Sequence, residues 1–450
     1  MVKLFFLFLM FLSWPLLTMA QAGPVLTLGD CIERIRAHSY ILQADAYSTE
    51  ASEQEYNFRA SRLLPQFSGE LAREDRFLQP YYFNQQWALV HMDWSPGDYI
   101  LKTGQAARQD IETTKFEEEQ TRLNAVGRIS SLYISILQDQ NKMELLEKHL
   151  KLLQSHFDLA NSLYVSGIRT QFDVLQTKSE VEKFREQISI LEIDIEGLRN
   201  EMARLLGWSG SDSLNLAYLE TAEICNQPVP EPDTVQVNAN PVILALNSRI
   251  KAQNLRTTAV DAQRYPHLYT AGGYFADKDP TSDGNYWRFD AGLAFPIYQW
   301  GSVKYQKQES QAMVRSLEYR VMDVQREILI HANRLSEKLA KLKKLLSLQQ
   351  ERLATTRQAV QYAEAHYKAG IISNLEYLSI QQQAVASGIT IEETRLKYAM
   401  NLIEYYVTTN QPGKVAALGT LTGGTDMNDD ADTNEDAGKT GASGTTGSAE

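Results

Sequence analysis

Few residues of this chain have the types and spacing that catalysis or metal binding requires. His149 and His156 lie seven residues apart in a predicted helix, so they share one face of it. No cysteine lies close to them and no histidine-glutamate motif accompanies them, so a metal site is the weaker interpretation of this pair. We therefore predict no enzymatic activity, no cofactor and no metal site.

An acidic run near the end of the chain has the composition of a calcium-binding loop. Counted from Asp430, the sixth position is Glu435 where such a loop needs glycine, and the twelfth is Gly441 where it needs glutamate. A solvated acidic tail is therefore the better interpretation. Because glycine, threonine, serine and aspartate dominate from Pro412 to Glu450, we expect residues 412–450 to be disordered.

The cysteines and the net charge limit the environment and the partners. Cys31 and Cys225 are the only cysteines; they would pair in an oxidising compartment, and two separate buried thiols are an equal alternative. The net charge of −12 argues against nucleic acid, whose backbone normally binds a basic face.

The first twenty residues have the layout of a cleavable secretory signal peptide. A basic Lys3 precedes the apolar run Leu4–Leu17, and small residues lead to a cleavage point near Ala20. A lipid anchor would need a cysteine at the cleavage point, but the nearest, Cys31, lies eleven residues further on. No later apolar run approaches the roughly 18 residues of a membrane-spanning helix. If the protein crosses a membrane, strands must do so.

Two short segments interrupt long helical patterns and match each other. Tyr164–Leu175 recurs as Tyr367–Leu378 at a constant offset of 203 residues. Tyrosine, glycine, isoleucine and leucine are identical at four equivalent positions, and Asp173 corresponds to Glu376. We interpret the two segments as the tips of helical hairpins, so the chain is a tandem duplication.

Each half of the duplication has the same order of predicted elements: an opening helix, two strands, a long helix, a tip and a return helix. The first repeat covers residues 21–227, a proline-rich linker covers 228–239, and the second repeat covers 240–411. No proline occurs from Gly97 to Gln227, so unusually long helices are allowed there. A continuous helix from Gly97 to Leu163 would be roughly 100 Å long, far longer than a globular core.

Apolar residues in the long helices follow the spacing of a coiled coil. Steps of three and four alternate over seven positions, and the second copy keeps this register although two of its positions are polar. One stripe leaves the other faces to contact neighbouring helices or water. The predicted positions are Met143, Leu146, Leu150, Leu153, Phe157, Ala160 and Tyr164, and Leu346, Gln349, Leu353, Thr356, Val360, Ala363 and Tyr367.

The segments between the opening and long helices are predicted strands. Apolar and polar residues alternate cleanly from Trp287 to Phe295, which indicates a strand with one apolar face, whereas the alternation in the first repeat is less clear. The predicted strands are Gln66–Arg73, Trp87–Trp94, His267–Phe275 and Trp287–Phe295, with loops of turn-forming residues at Pro80–Asn84 and Asp277–Asn285.

Four such strands are long enough to cross a membrane but too few to close a barrel. Single-chain barrels have at least about eight strands, so several copies of the chain would have to contribute. Aromatic residues cluster near the strand ends, as they do at membrane interfaces. The alternative is that they form the core of a soluble hairpin. These aromatics are Trp87, Trp94, Tyr286, Trp287, Tyr298 and Trp300.

The order of these features resembles the outer-membrane efflux channels of the TolC type over roughly Leu26 to Asn410. No single feature decides the match, but their order and spacing occur twice. The features are the two Tyr-x-x-Gly-Ile tips, the helix-ending Pro65 and Pro266, the strand exit Phe295-Pro-Ile-Tyr-Gln-Trp-Gly301 and the helix start Asn240-Pro241.

The resemblance implies a mainly α fold with a small β part, assembled as a homotrimer. Each chain would give four strands to a shared twelve-stranded transmembrane β-barrel, and its coiled-coil hairpins to an α-barrel that forms a tunnel across the periplasm. The implied function is an outer membrane exit duct for efflux or secretion, with a periplasmic adaptor (membrane fusion) protein and an inner-membrane transporter as partners. A soluble periplasmic coiled-coil structural or adaptor protein is the alternative.

The resemblance also assigns roles at the tips. Family members carry an acidic ring at positions six and nine after the second tip glycine, which here are Glu376 and Ser379; the first copy has Asp173 and Gln176. The first acidic position is kept and the second is lost, so Asp173 and Glu376 are the gate candidates. They would also favour the first turn of the return helices through the helix dipole. The implied adaptor-binding residues are Gly167, Ile168, Arg169, Gly370 and Ile371.

Overall fold

The computed structural model describes most of the two repeats. Its described residues are 25–78, 81–94, 97–208, 214–219, 221–279 and 282–419. The predicted signal peptide and the tail beyond Gly419 lie outside this part of the chain.

Both repeats have the predicted order of elements, and the first long helix ends two residues beyond its predicted end at Leu163. The first contains β1 (Val25–Leu26), α1 (Leu28–His38), α2 (Tyr40–Ser61), β2 (Gln66–Leu78), β3 (Tyr81–Trp94), α3 (Asp98–Val165) and α4 (Gln171–Leu205). The connecting segment contains β4 (Asn215–Leu216), which pairs with β1, and the short helices α5 (Thr221–Asn226) and α6 (Thr234–Asn238). The second repeat contains α7 (Pro241–Ala262), β5 (His267–Asp279), β6 (Ser282–Ala294), α8 (Ser302–Lys368), α9 (Asn374–Thr408) and α10 (Pro412–Leu418).

The long helices lie side by side in one layer. On the strand side α3 packs against α2 and α7, and on the tip side it packs against α4 and α9. The second long helix, α8, packs against α7 and then α9, so α2 and α4 form one edge of the layer and α8 forms the other. The largest hydrophobic cluster lies midway along the layer, where α1, α10 and the ends of α4 and α9 surround α3. None of the described helices combines the length and apolar character that a membrane span requires.

The strands form an antiparallel sheet in the order β2-β3-β5-β6. Pairing runs from Gln66↔Asp93 to Leu78↔Tyr81 and from His267↔Ala294 to Asp279↔Ser282. The predicted loops were therefore wrong, because most of their residues belong to strands. Backbone groups make the ladder hydrogen bonds, so turn-forming side chains do not prevent the pairing.

Two further predictions required correction. The opening helix was predicted to be continuous, but extended backbone at Ser39 divides it into α1 and α2. The predicted disorder of residues 412–450 was wrong at its start, because Pro412–Leu418 is helical and buries Val415 and Leu418 in the main core. Proline suits the first position of a helix, and the short apolar run after it was masked by the glycine-rich and threonine-rich composition that follows.

The coiled-coil seam was predicted correctly in the second copy and only in part in the first. All seven second-copy positions are buried or half-buried. In α3 the predicted position Tyr164 is exposed, and Met143, Leu150 and Phe157 are half-buried, whereas His149 and His156 are buried beside Leu153. The stripe is shifted because α3 contacts both α4 and α9, so it buries a wider face than one partner would require.

The two cysteines are free thiols, both buried in the main core. Burial raises the pKa of Cys31 to about 12 and that of Cys225 to about 11, so both thiols are protonated at neutral pH. The alternative of two separate buried thiols is therefore confirmed.

Candidate functional site at the hairpin tips

Both tips turn through a glycine with a left-handed backbone. Gly167 and Gly370 each have φ of +75°, a conformation that glycine adopts without steric cost. The amide of Ile168 donates to the Leu163 carbonyl at 2.9 Å, and that of Ile371 donates to the His366 carbonyl at 2.9 Å. These bonds close the end of each long helix, so the prediction of two equivalent hairpin turns is confirmed.

The tips expose apolar side chains at one end of the molecule. Ile168 is 67% exposed and Ile371 is 69% exposed, and other large apolar residues on the first turns of the return helices are also exposed. Contiguous apolar surface on a folded protein usually marks a binding site. We call this the tip surface, and its residues are Ile168, Phe172, Leu175, Ile371 and Leu375.

The predicted gate carboxylates cap the return helices in this chain. Asp173 Oδ2 accepts from the Thr170 amide at 3.2 Å and from its hydroxyl at 3.1 Å. Glu376 Oε2 accepts from the Ser373 amide at 2.8 Å and from its hydroxyl at 2.9 Å. These bonds lower the pKa of Glu376, so its carboxylate stays ionised well into the acid range. Each carboxylate thus completes a capping box, and in both cases one oxygen accepts both bonds.

Arg169 of the first tip binds the second tip. Its Nη2 donates to the carbonyls of Tyr367 at 3.2 Å and Ile372 at 3.1 Å, and its guanidinium lies 4.6 Å from the Tyr367 ring centroid. The Tyr367 carbonyl belongs to the last turn of α8, where a cation is favoured by the helix dipole. Arg169 therefore fastens the two tips together within one chain.

Asn374 is a buried link between the repeats, and no sequence motif predicted it. Its Nδ2 donates to the Asp173 carbonyl at 3.2 Å, to Gln176 Oε1 at 3.1 Å and to Thr177 Oγ1 at 3.2 Å. Its Oδ1 lies 2.8 Å from Nε2 of His156. Because the amide oxygen can only accept, we assign the His156 proton to Nε2. The only signal in the sequence was that the first repeat has Gln171 at the equivalent position.

Aromatic rings enclose His156 beside this link. Its ring centroid lies 4.8 Å from that of Tyr367 and 4.5 Å from that of Tyr377. Burial lowers the pKa of His156, and the nearby positive charge of Arg169 lowers it further, against the hydrogen bond with Asn374 and the charge of Glu364. The imidazole is therefore neutral at physiological pH.

His149 has a separate environment from His156. Its ring meets that of Phe184 edge-on, with the centroids 4.6 Å apart, and burial lowers its pKa to about 4. The two histidines thus have different partners, and their rings do not meet at a common site where both could bind one ligand. Both are core residues of the tip-side packing.

Acid should destabilise the tip-side packing through His149. Its pKa is about 4 in the folded chain and 6.5 in the unfolded chain. Between these two pH values the unfolded chain therefore binds more protons than the folded chain. The stabilisation is complete above pH 6.5 and is lost as the pH falls towards 4, which amounts to about 3 kcal/mol for this shift. The melting temperature of His149→Leu should therefore fall less between pH 7 and pH 4 than that of the wild type. The exposed His366→Leu is the control, and an unchanged acid sensitivity in His149→Leu would contradict the assignment.

The single layer of long helices, the open sheet and the paired tips form the architecture of outer membrane channel subunits. The structure superimposes on solved CusC with a TM-score of 0.76 at 16% identity, covering 86% of this chain and 93% of that one. It superimposes on the outer membrane protein VceC from Vibrio cholerae with a TM-score of 0.72 at 14% identity, covering 86% and 96%. The outer membrane efflux protein family model matches residues 102–207 and 237–407, more than half of the sequence. The chain belongs to this family.

The name of a sequence relative agrees with this membership. The probable efflux pump outer membrane protein TtgC from Pseudomonas putida is 23% identical over 325 residues. The match covers 69% of this chain and 66% of TtgC, so it spans just under two thirds of that relative.

Proposed function

We propose that this protein is the outer membrane channel of an efflux or secretion system. It would act as a passive exit duct that works with a periplasmic adaptor protein and an inner-membrane transporter. The observation that carries this proposal is the open four-stranded sheet, whose apolar face is bare: Trp287 is 67% and Phe289 76% exposed. Family membership and the efflux role in the names of relatives support it.

The free edges of the sheet favour assembly of several copies. β2 and β6 are the outer strands, so each is paired on one side only. In a bilayer the free backbone groups of an edge strand need partners, which β6 of one subunit and β2 of the next would supply to each other. Three copies would contribute twelve strands to one closed barrel, the homotrimer that the family resemblance implies.

The helical edges carry opposite charge and support the same arrangement. The α8 edge has 13 Lys and Arg residues against 7 Asp and Glu, a net charge of +6. On the opposite edge, α2 has one arginine against four acids and α4 has five basic residues against eight acids, which gives −3 each and −6 together. Head-to-tail contact of identical subunits would bring these edges together. In a closed ring, every positive edge would contact a negative edge of the next subunit.

The tip surface is the proposed docking site of the adaptor. It combines the exposed Ile168 and Ile371 with Gly167 and Gly370, whose lack of side chains allows a partner backbone to approach closely. Arg169 would contribute by holding the tips in register, because its guanidinium is already bound to the second tip.

Asp173 and Glu376 remain the proposed gate carboxylates, in addition to their capping role. Repeated around a threefold axis, they would attract cations to a constriction and repel one another. Glu376→Gln separates the two roles, because glutamine can still complete a capping box but carries no charge. We expect block by divalent cations to weaken roughly two- to tenfold in single-channel recordings. Glu337→Gln, which lies midway along α8, should leave the block unchanged; the same block in Glu376→Gln would exclude Glu376 from the gate.

Export and fractionation test the proposal directly. The full-length gene should restore resistance to an exported toxic compound in a strain that lacks its own channel but keeps the adaptor and transporter. The protein should appear in the outer membrane fraction and require detergent for release. Recovery from the periplasm without detergent, with no gain of resistance, would favour the soluble coiled-coil alternative.

A further inference from the structure

An open cavity of about 830 Å³ lies where the sheet meets the helices. This volume is within the usual range for ligand sites in proteins. Its wall comes from the start of α3, the segment that joins α7 to β5, and the end of β6 with the residues that follow. The aromatic and larger aliphatic residues of the wall are Tyr99, Ile100, Tyr265, Leu268, Leu293 and Phe295.

The cavity continues the bare apolar face of the sheet. Leu293 forms part of its wall and lies on the same side of β6 as Trp287 and Phe289, and Phe295, which directly follows the strand, extends that wall. Leu268 pairs with Leu293 across the two strands and extends the apolar wall. Under the proposed function this face contacts the acyl chains of the membrane. The cavity would then open to the hydrocarbon at the periplasmic end of the sheet.

A smaller cavity of about 260 Å³ adjoins the first and is cationic. The two share Pro296 and Gln299, and the smaller one is also lined by Arg264 and Lys304. Asp261 Oδ1 lies 3.6 Å from Arg264 Nε, and Asp261 also forms an ion pair with Lys307. With Lys304 these groups carry a net charge of +2, and a second acid, Asp98, lies in the wall of the larger cavity.

The first turn of α8 also forms part of the smaller cavity. The preceding residue is Gly301, which has no side chain to cap the helix, and the first turn contains no acidic residue. The positive end of the helix dipole therefore adds to the charge of Arg264 and Lys304. A compact anion fits this environment, whereas the larger cavity next to it suits a hydrocarbon chain.

We infer that the two cavities together bind one anionic phospholipid per subunit. An acyl chain occupies the larger cavity, and the phosphate lies in the smaller one, where Arg264 and Lys304 donate charge-assisted hydrogen bonds to its oxygens. The bound lipid connects the sheet to the helices, since the walls come from α3, α7, β6 and α8. This inference rests on the proposed function, because the apolar face must meet lipid for an acyl chain to enter.

Native mass spectrometry of the detergent-extracted oligomer tests the lipid site. After exchange into micelles with equal phosphatidylglycerol and phosphatidylethanolamine, the wild type should retain about one lipid per subunit, with roughly tenfold preference for phosphatidylglycerol. The surface double variant Arg264→Gln/Lys304→Gln should lose that preference, and Ala294→Phe, which fills the larger cavity, should retain less of both lipids. The matched controls are Lys341→Gln, far along α8, and Ala291→Phe, on the same strand outside the cavity; both should behave as wild type.

Three results would overturn the lipid site. These are a wild-type oligomer without bound lipid, equal retention of the two lipids in wild type and the double variant, and undiminished retention in a correctly assembled Ala294→Phe oligomer. Each concerns an assembled outer membrane oligomer, so the proposed channel function would survive it. Failure of the wild type to assemble or to reach the outer membrane would instead refute the channel function.

Discussion

Replacing Gly370 with aspartate should abolish export while leaving the oligomer intact. No atom lies within 4 Å of a Cβ built on Gly370, so the chain has room for the side chain. The φ of +75° costs an aspartate about 1 kcal/mol, which a helical layer of this length tolerates. The new charge would lie beside Ile371, in the apolar centre of the tip surface. An unpaired charge buried at an interface costs about 2–5 kcal/mol, so export should fall at least tenfold.

Gly370→Asn separates the charge from the backbone conformation. Asparagine has the same shape as aspartate and adopts positive φ readily, but it is neutral. It should keep export within about threefold of wild type. Equal losses in the two variants would show that the glycine is needed for the turn itself, whereas normal export by Gly370→Asp would contradict docking at this tip. Export rate and oligomer mass should be measured on the same cells.

Asn374→Ala should make the channel leak and should destabilise the tips. The substitution leaves His156 Nε2 and the Thr177 hydroxyl in a buried site without their amide partner. The Thr177 hydroxyl keeps its bond to the Asp173 carbonyl at 2.9 Å, so His156 Nε2 is the buried group left unsatisfied, at a cost of about 1–3 kcal/mol. The first and second hairpins would then separate more easily, and conductance of the resting channel in planar bilayers should rise several-fold.

Gln382→Ala is the matched control for the Asn374 link. Gln382 also joins the repeats, by donating to Glu180 Oε2 at 2.6 Å, but it is only half-buried, so water can replace the lost partner. It should change conductance and melting temperature little. If Asn374→Ala lowers the melting temperature without altering the resting conductance, the link stabilises the tips but does not hold the channel closed.

The sequence predicted the tips and long helices well because their signals are local. A glycine with positive φ must interrupt each helix, and the absence of proline allows the helix to continue, so neither inference needed a distant contact. The Asn374 link could not be predicted in this way. Its partner His156 lies 218 residues away, and only the packing of α9 on α3 brings them together.

The errors also have physical causes. The predicted seam followed one stripe of mostly apolar residues and so omitted His149 and His156. In the structure, α4 covers His149 through Phe184 and α9 covers His156 through Asn374. The loops between the strands were predicted too long because the prediction used the turn-forming side chains. The strand ladder depends on backbone hydrogen bonds, which these side chains do not prevent. The helix α10 was missed because its few apolar residues precede a long polar tail.

The two tips have the same turn but different functions within the chain. Arg169 extends from the first tip to the second, whereas the second copy has Ile372 at the equivalent position and accepts that contact through its carbonyl. An adaptor would therefore meet two unequal surfaces, with the glycine and isoleucine of each tip exposed and the first tip fastened to the second.

The most direct measurement combines the oligomer mass of detergent-extracted protein with planar bilayer recordings on the same sample. We predict a mass of three processed subunits. We also predict discrete single-channel openings that occur only in samples that contain this trimer. A monomeric mass with no channel activity, from protein shown to be folded by its helical circular dichroism, would contradict the account of this protein as a trimeric exit duct.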